Sequence, residues 1–494
     1  MSNKTKQWGA IIVMIALFAM IAFVTNLCSP MAVIVKNQFG ASNFASQVGN
    51  YGNFMAYLLM GVPSGMLIKK LGYKKTALLA LIVGIVGILV QWLSGSLGFT
   101  VYLIGAFIAG FCMCMLNTVV NPMLNLLGGG GNTGNQLIQI GGVFNSTAAV
   151  CVYILMGALI GDAAKAKISD ATPALMIALA IFVVAFIVIL FTKIEEPQKI
   201  EKEEKVSAEK PKYSAFSFRH FKLGILAIAF YGAVEVGPPT YILQYLTADT
   251  QEILDKKVDI INNYNNGSLA INVAAEQLLN PTNDEKIAKK IEAKDVEKMK
   301  KQLSEGEITV ESVKKTTTGR AMDAGYAGTL GAIYFLLMLV GRFVGGVVGG
   351  KISTKAMISS VSAAAVVLLG LGIFLPTDVT VSIPGVDYTA MALVWGNVPV
   401  GILMFLLVGL CASVMWGGIF NLATEGLGKY TAVASGAFMT MVCGFAIMVG
   451  IQGIVADVTG SYLASFFVPL ACAAYILYYA LIGSKNVNTD IPVE

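Results

Sequence analysis

Apolar runs of about 20 residues, long enough to cross the hydrocarbon core of a bilayer, recur along nearly the whole chain. About twelve can be marked, near residues 8–36, 44–68, 76–96, 99–127, 136–161, 171–192, 221–247, 325–350, 356–375, 396–423, 432–457 and 461–483. A soluble core does not absorb that many. The chain is 56% hydrophobic and 13% charged, against roughly 25% charged in a soluble domain. The pattern predicts an all-α polytopic membrane protein of twelve transmembrane helices, solvated by the lipid bilayer. The first run is too long for a signal-peptide core and lacks a small-residue cleavage site, so it reads as a retained helix.

Two hydrophilic stretches divide the pattern. Lys193 to Phe218 is a charged linker after the sixth run, so 1–192 reads as one six-helix half, 193–220 as linker and 221–494 as the second half. The second stretch, 248–321, falls between runs seven and eight. Its segment KIAKKIEAKDVEKMKKQLSEGEITVESVKK repeats Ile and Leu at helical spacing and predicts a small outer helical insertion. Lys69, Lys70, Lys74, Lys75, Lys351, Lys355 and Lys429 would share one side with the linker, which holds most of the basic charge of the short loops. By the positive-inside rule that side is cytoplasmic, which puts both termini inside and the insertion outside a cell inner (plasma) membrane. Six helices plus six about a linker is the pattern of paired repeats around a midplane site. The expected unit is a monomer.

Chemistry-bearing motifs are few. Seven cysteines all fall in apolar runs without a CxxC pair, so neither a disulfide framework nor a metal site is indicated. Gly128 to Gly131 lacks the GK[ST] continuation of a phosphate-binding loop and reads as a flexible elbow. No nucleophile–base pair, cofactor motif or nucleic-acid signature appears, which argues against an enzyme. His220, beside Arg219 and Lys222, reads as solvated.

Glu235 stands out. No Asp or Glu occurs from Met1 to Gly161, and no other acid lies comparably deep in an apolar run. It is 13 residues after Lys222 and 14 before Asp249, so about 20 Å of helix separates it from charge on either side. A carboxylate at that depth is costly and marks a functional site by default, although a structural hydrogen bond to a neighbouring helix also accounts for it. Gly237-Pro238-Pro239 follows and should break the helix beside it. Arg342, near the end of run eight, reads either as a gating residue that meets helix C-termini or a loop acid, or as a plain snorkelling arginine.

Amides gather in the first half. Asn117, Asn121 and Asn125 repeat at i, i+4 and i+8 on one helix face, with Pro122 inside the run. Gln139 and Asn145 lie at similar depth in the fifth run, Asn26 in the first, and Tyr51 and Asn53 in the second. Together with Glu235 and Tyr241 these form the candidate substrate site. Amides both donate and accept, which suits a neutral polyhydroxylated solute. Interhelical bonding is their ordinary alternative use.

NPMLNLLG (Asn121 to Gly128) and FNSTAA (Phe144 to Ala149) resemble the fourth and fifth spans of the fucose/hexose:proton symporter branch of the major facilitator superfamily. YGAVEVG around Glu235, LVGRFVGG, IFNLATEGLGKYT and SGAFMTM…IQGIVAD extend the resemblance through the second half. It implies the major facilitator fold and a sugar carrier working by alternating access, with Asn121, Asn145 and Glu235 at matching positions. The family's first-span acid, due near Val33, is missing; Asn117 stands where the fourth span has Glu, and Gly142 where the fifth has Gln. Two arrangements stay open: ion coupling, by proton or sodium, moved to Glu235, or an uncoupled uniporter. A solute antiporter and a transport-like receptor using the insertion are the rival readings.

Overall fold

In a computed structural model the described residues are 8–39, 43–160, 172–192, 213–281, 293–322, 324–387, 392–488 and 490–493; side chains are left aside at 28–51, 152–160, 294, 324–325 and 387. The first half is six long helices: α1 (Trp8–Phe39), α2 (Asn43–Leu71), α3 (Tyr73–Leu97), α4 (Phe99–Leu127), α5 (Gly131–Ile160) and α6 (Thr172–Phe191). In the second half the seventh span is α7 (Arg219–Glu235) plus α8 (Gly237–Thr247). Four short helices follow: α9 (Gln251–Asn265), α10 (Ile271–Leu279), α11 (Ala293–Ser304) and α12 (Val310–Lys314). Spans eight and nine are α13 (Ala324–Val348) and α14 (Thr354–Phe374). Span ten is α15 (Val400–Ala412) plus α16 (Met415–Thr424), and eleven is α17 (Thr431–Thr440) plus α18 (Gly444–Thr459). The twelfth joins α19 (Tyr462–Ser465) to α20 (Phe467–Tyr478).

Ten described helices are long and apolar enough to cross a membrane, and the bent α15–α16 pair makes eleven. α5 completes the twelve. It has 30 residues, and Asn132, Asn135, Gln136, Gln139 and Asn145 dilute its apolarity. Burial explains why it tolerates them, because α5 packs against α1 and α4 of its own half and α13 of the other. Outer helices show the reverse. α6 carries Val183, Val184, Ile187, Val188 and Leu190 exposed, as a lipid-covered face requires.

Gly129, Gly130 and Gly131 turn the chain between α4 and α5 with φ of 90°, 74° and 52°, which side-chain-bearing residues rarely adopt. The expected elbow is thus a defined turn. Among the described residues, every hydrogen bond between the halves lies between mid-bundle and this loop end. Asn125 donates to Asn421 at 2.9 Å, Asn421 to the Gly131 carbonyl at 3.2 Å, Gln136 to the Gly346 carbonyl at 2.9 Å and Ser435 to the Thr118 carbonyl at 3.2 Å. There α2 and α17 touch backbone to backbone: a Cβ on Gly436 would sit 2.4 Å from the Gly61 carbonyl oxygen. The bundle is closed at this end.

Three regions depart from expectation. Between the ninth and tenth apolar runs, and into the start of the tenth, Thr380–Asp387 (β1) and Ala392–Pro399 (β2) form an antiparallel hairpin. Span ten therefore begins later, at Val400. Alternation places Ile383, Gly385 and Val398 inward, over the Tyr326 ring; the glycines and prolines in both strands had masked that period. His220 is buried rather than solvated, because α7 starts at Arg219 and its first turn packs Nε2 3.1 Å from the Glu425 carbonyl. Among its described residues the insertion forms four short helices with a core of their own, made by Leu254, Ile261, Ala274, Leu278, Leu303 and Val313. It leaves and returns at one neck, where Gly319 and Arg320 donate to the carbonyls of Asp249 and Tyr245 at 2.7 and 3.0 Å. Residues 282–292 and most of the linker lie outside the described residues.

Gly436→Leu should drive α2 and α17 apart, since small residues are what let the backbones approach so closely. A cysteine at Ser435, fully buried here, would then label severalfold faster with a membrane-impermeant maleimide. An unchanged labelling rate would contradict this packing.

Candidate functional site

Glu235 is the last residue of α7, directly before the break into α8. Pro238 has no N–H to offer the Val234 carbonyl four residues back. The Tyr334 hydroxyl of α13 donates to that oxygen at 2.6 Å, so protein closes the gap. The Glu235 carboxylate faces Arg342, Oε1 to Nη2 at 3.4 Å, with the two side chains 19% and 11% exposed. The Tyr231 hydroxyl adjoins both charges without a hydrogen bond of standard geometry.

Arg342 was expected to meet helix C-termini or a loop acid, and it does meet one helix end, the Ser413 cap of α15. Its other partners come from α7 and α5 rather than from a loop. Within its own half it reaches Glu235 and, from Nε, the Ser413 carbonyl at 3.3 Å. Across the interface Nη1 donates to the Ser146 hydroxyl and lies 3.4 Å from Asn145 Oδ1 and from the Gly142 carbonyl. Ser413 and Val414 form the bend between α15 and α16, and Gln139 of α5 donates to the Val414 carbonyl at 3.0 Å. Two broken spans, seven and ten, thus meet around one guanidinium. Broken spans at mid-depth are where membrane carriers build their sites, because the freed carbonyls and helix ends hold polar groups there.

The first half supplies a wall of amides. Asn117 Nδ2 donates to the Tyr57 hydroxyl at 2.9 Å, and Asn121 Nδ2 to the Asn117 carbonyl at 2.9 Å. Asn121 Oδ1 accepts from Trp416 Nε1 at 3.1 Å, which joins this wall to the second half. Trp416 in turn belongs to an aromatic cluster, its ring 6.1–6.2 Å from those of Phe438, Phe445 and Tyr231. Phe18, Gln139, Gly142, Arg342, Ser413 and Trp416 line a narrow crevice between the halves.

Of the residues singled out in the sequence, Asn117, Asn121, Gln139, Asn145, Glu235 and Arg342 come together. Asn53 is buried on α2 with its Oδ1 unpartnered. Asn26 donates to its own helix at the Ala22 carbonyl, 2.8 Å away, and Tyr241 to the Val449 carbonyl at 2.8 Å, so each is engaged locally. The Tyr51 side chain lies outside the described residues. Trp416, Tyr57, Ser146 and Tyr334 were missed. Trp416 left one signal, as one of only four tryptophans and set in a run beside two glycines.

A bundle of long apolar helices with neighbouring interrupted spans beside a polar crevice is the architecture of a membrane transporter. A family model described as Major Facilitator Superfamily matches residues 13–253. The glucose/galactose transporter of Brucella abortus is 25% identical over 493 residues, 98% of this chain and 97% of the relative. The L-fucose-proton symporter of Escherichia coli is 19% identical, over 95% of this chain and 92% of its own. The crystal structure of FucP, a major facilitator transporter in the outward conformation, superposes with a TM-score of 0.69 at 18% identity, covering 96% of this chain and 99% of that one. The family match covers just under half of the chain and the relatives extend the likeness along nearly all of it; the protein is a multi-pass transporter and not an enzyme.

Tyr334→Phe should leave the Val234 carbonyl unpaired at the break. Losing that buried hydrogen bond should cost about 1–3 kcal/mol. A lowered thermal midpoint in detergent would report it, and an unchanged midpoint would show that the break needs no external donor.

Proposed function

We propose that this protein is a secondary-active carrier that moves a neutral sugar by alternating access between its halves, 1–192 and 221–494. One observation carries the reading: an amide wall from the first half, Asn117 and Asn121, faces the ring of Trp416 from the second. Sugars present hydroxyls at their edges and C–H groups on their faces, so amides on one side and an aromatic ring on the other fit both. The Trp416–Asn121 bond closes the space between them and is the contact a sugar would replace. Relatives described as glucose/galactose and L-fucose-proton carriers support a hexose or deoxyhexose as the solute.

Glu235 is the proposed coupling residue and Arg342 the gate. With no acid among the first six spans, Glu235 is the carboxylate available at mid-depth. Protonated Glu235 no longer holds Arg342 by charge, which leaves the guanidinium to its neutral acceptors on α5. In this reading Glu235 takes its proton from the outside and releases it inside. The same basic-loop asymmetry supports an inner-membrane carrier with cytoplasmic termini and the insertion outside. A monomer suffices for the cycle, since one chain supplies both halves of the site.

Thermal unfolding of the purified protein against D-glucose, D-galactose, L-fucose and sugar acids tests the solute. A neutral sugar at 100 times its dissociation constant should add about 2.7 kcal/mol of stability, and Trp416→Ala should remove the effect. Best stabilisation by a sugar acid would overturn the neutral-sugar reading. Coupling is tested separately. Glu235→Gln should abolish uphill accumulation in proteoliposomes while exchange persists. Accumulation undiminished in that variant would sink the coupling role and leave an uncoupled uniporter.

A further inference from the structure

The β1–β2 hairpin takes no part in the crevice, yet it has two distinct faces. One covers Tyr326, whose hydroxyl lies 3.0 Å from the carbonyls of Ile383 and Gly396. The other is apolar and uncovered. Register pairs Pro384 with Trp395 and Val386 with Leu393, while the polar pair Ser382–Asn397 lies nearer the strand base. Trp395 is 70% exposed and Leu393 76%.

Two contacts orient the hairpin along α13. Ile383 and Gly396 sit at Tyr326, and nearer the turn the Val386 N–H donates to the Thr329 hydroxyl at 3.2 Å. Thr329 is three residues further into the span than Tyr326, so the hairpin runs toward the membrane interior rather than away from it. Its apolar pairs are therefore the deeper ones and Ser382–Asn397 the shallower. Thr329 also shares a helix face with Leu336, Val340, Phe343 and Val347, all exposed large apolar side chains. Such a stripe on a membrane span is covered by acyl chains. The hairpin continues that stripe at its end, and the outer part of span nine, which leads into β1, exposes Val367, Leu371 and Phe374 as well.

We propose that this face docks on the phospholipid bilayer itself, with Trp395 and Leu393 seated at the boundary between headgroups and acyl chains of the leaflet on the insertion side. Unpaired strand-edge groups are too costly for the hydrocarbon centre, and tryptophan favours this boundary. The hairpin thereby fixes the depth of spans eight, nine and ten.

The test uses the full protein in nanodiscs, with the emission of Trp395 isolated as the difference between wild type and Trp395→Phe. Phosphatidylcholine brominated high on its acyl chain should quench this difference signal severalfold more strongly than lipid brominated near the chain end, and more strongly than aqueous iodide. Quenching mainly by iodide would place the face in water, and quenching by neither would place it against protein. Both results overturn the proposal. Should Trp395→Phe fold poorly, a nitroxide at Leu393→Cys, with Cys28 and Cys151 replaced by serine, gives an independent reading. Oxygen should then broaden its spectrum more than a water-soluble nickel chelate; the opposite order rejects lipid docking.

Discussion

A guanidinium with little access to water has to be answered on every side, and the centre of this molecule is arranged around that need. Burying an unpaired charge costs several kcal/mol, and removing one partner of a buried pair exposes that cost. Arg342 meets it with one carboxylate and a ring of neutral oxygens: Glu235 and the Ser413 carbonyl from its own half, Ser146, Asn145 and the Gly142 carbonyl from the other. The first half has no acid in its spans, so its contribution can only be neutral. The pair thus stays within the second half while its hydrogen bonds reach across to the first.

The broken helices follow from the same logic. A break inside a bilayer exposes carbonyls that water would satisfy elsewhere, and here side chains from neighbouring spans do so. Tyr334 answers Val234 at the first break, while Arg342 and Gln139 answer Ser413 and Val414 at the second. α5 can therefore carry five amides and still sit in the bundle. Its polarity is spent on backbone groups and on the opposing half.

Much of the architecture was legible in the sequence because a bilayer imposes few solutions. The long apolar helices and the interruption after Glu235 follow from length, hydropathy and the two prolines. What escaped was set by packing across the interface. Trp416 belongs to the site through a partner 295 residues away, and Tyr334 through a carbonyl exactly where a proline removed its donor, 100 residues off. The hairpin hid because its glycines and prolines imitate a loop, and only the Tyr326 ring reveals why they are tolerated. His220 hid because the composition around it is that of a solvated linker. Asn26 and Tyr241 show the converse limit: a polar residue at mid-depth can be consumed by a carbonyl nearby.

The seam between the halves at the loop end has an electrical consequence. Its bonds include Asn125 to Asn421, Asn421 to Gly131, Thr354 to Asn132, Gln136 to Gly346 and Ser435 to Thr118, and among the described residues no ion pair crosses it. Moving one elementary charge through a membrane potential is worth about 2.3 kcal/mol per 100 mV. Separating amides and a hydroxyl from their neutral acceptors carries no such charge. Parting the seam is in this sense silent to voltage and to ionic strength, so the work of opening is left to short-range hydrogen bonds and to whatever solute occupies the crevice.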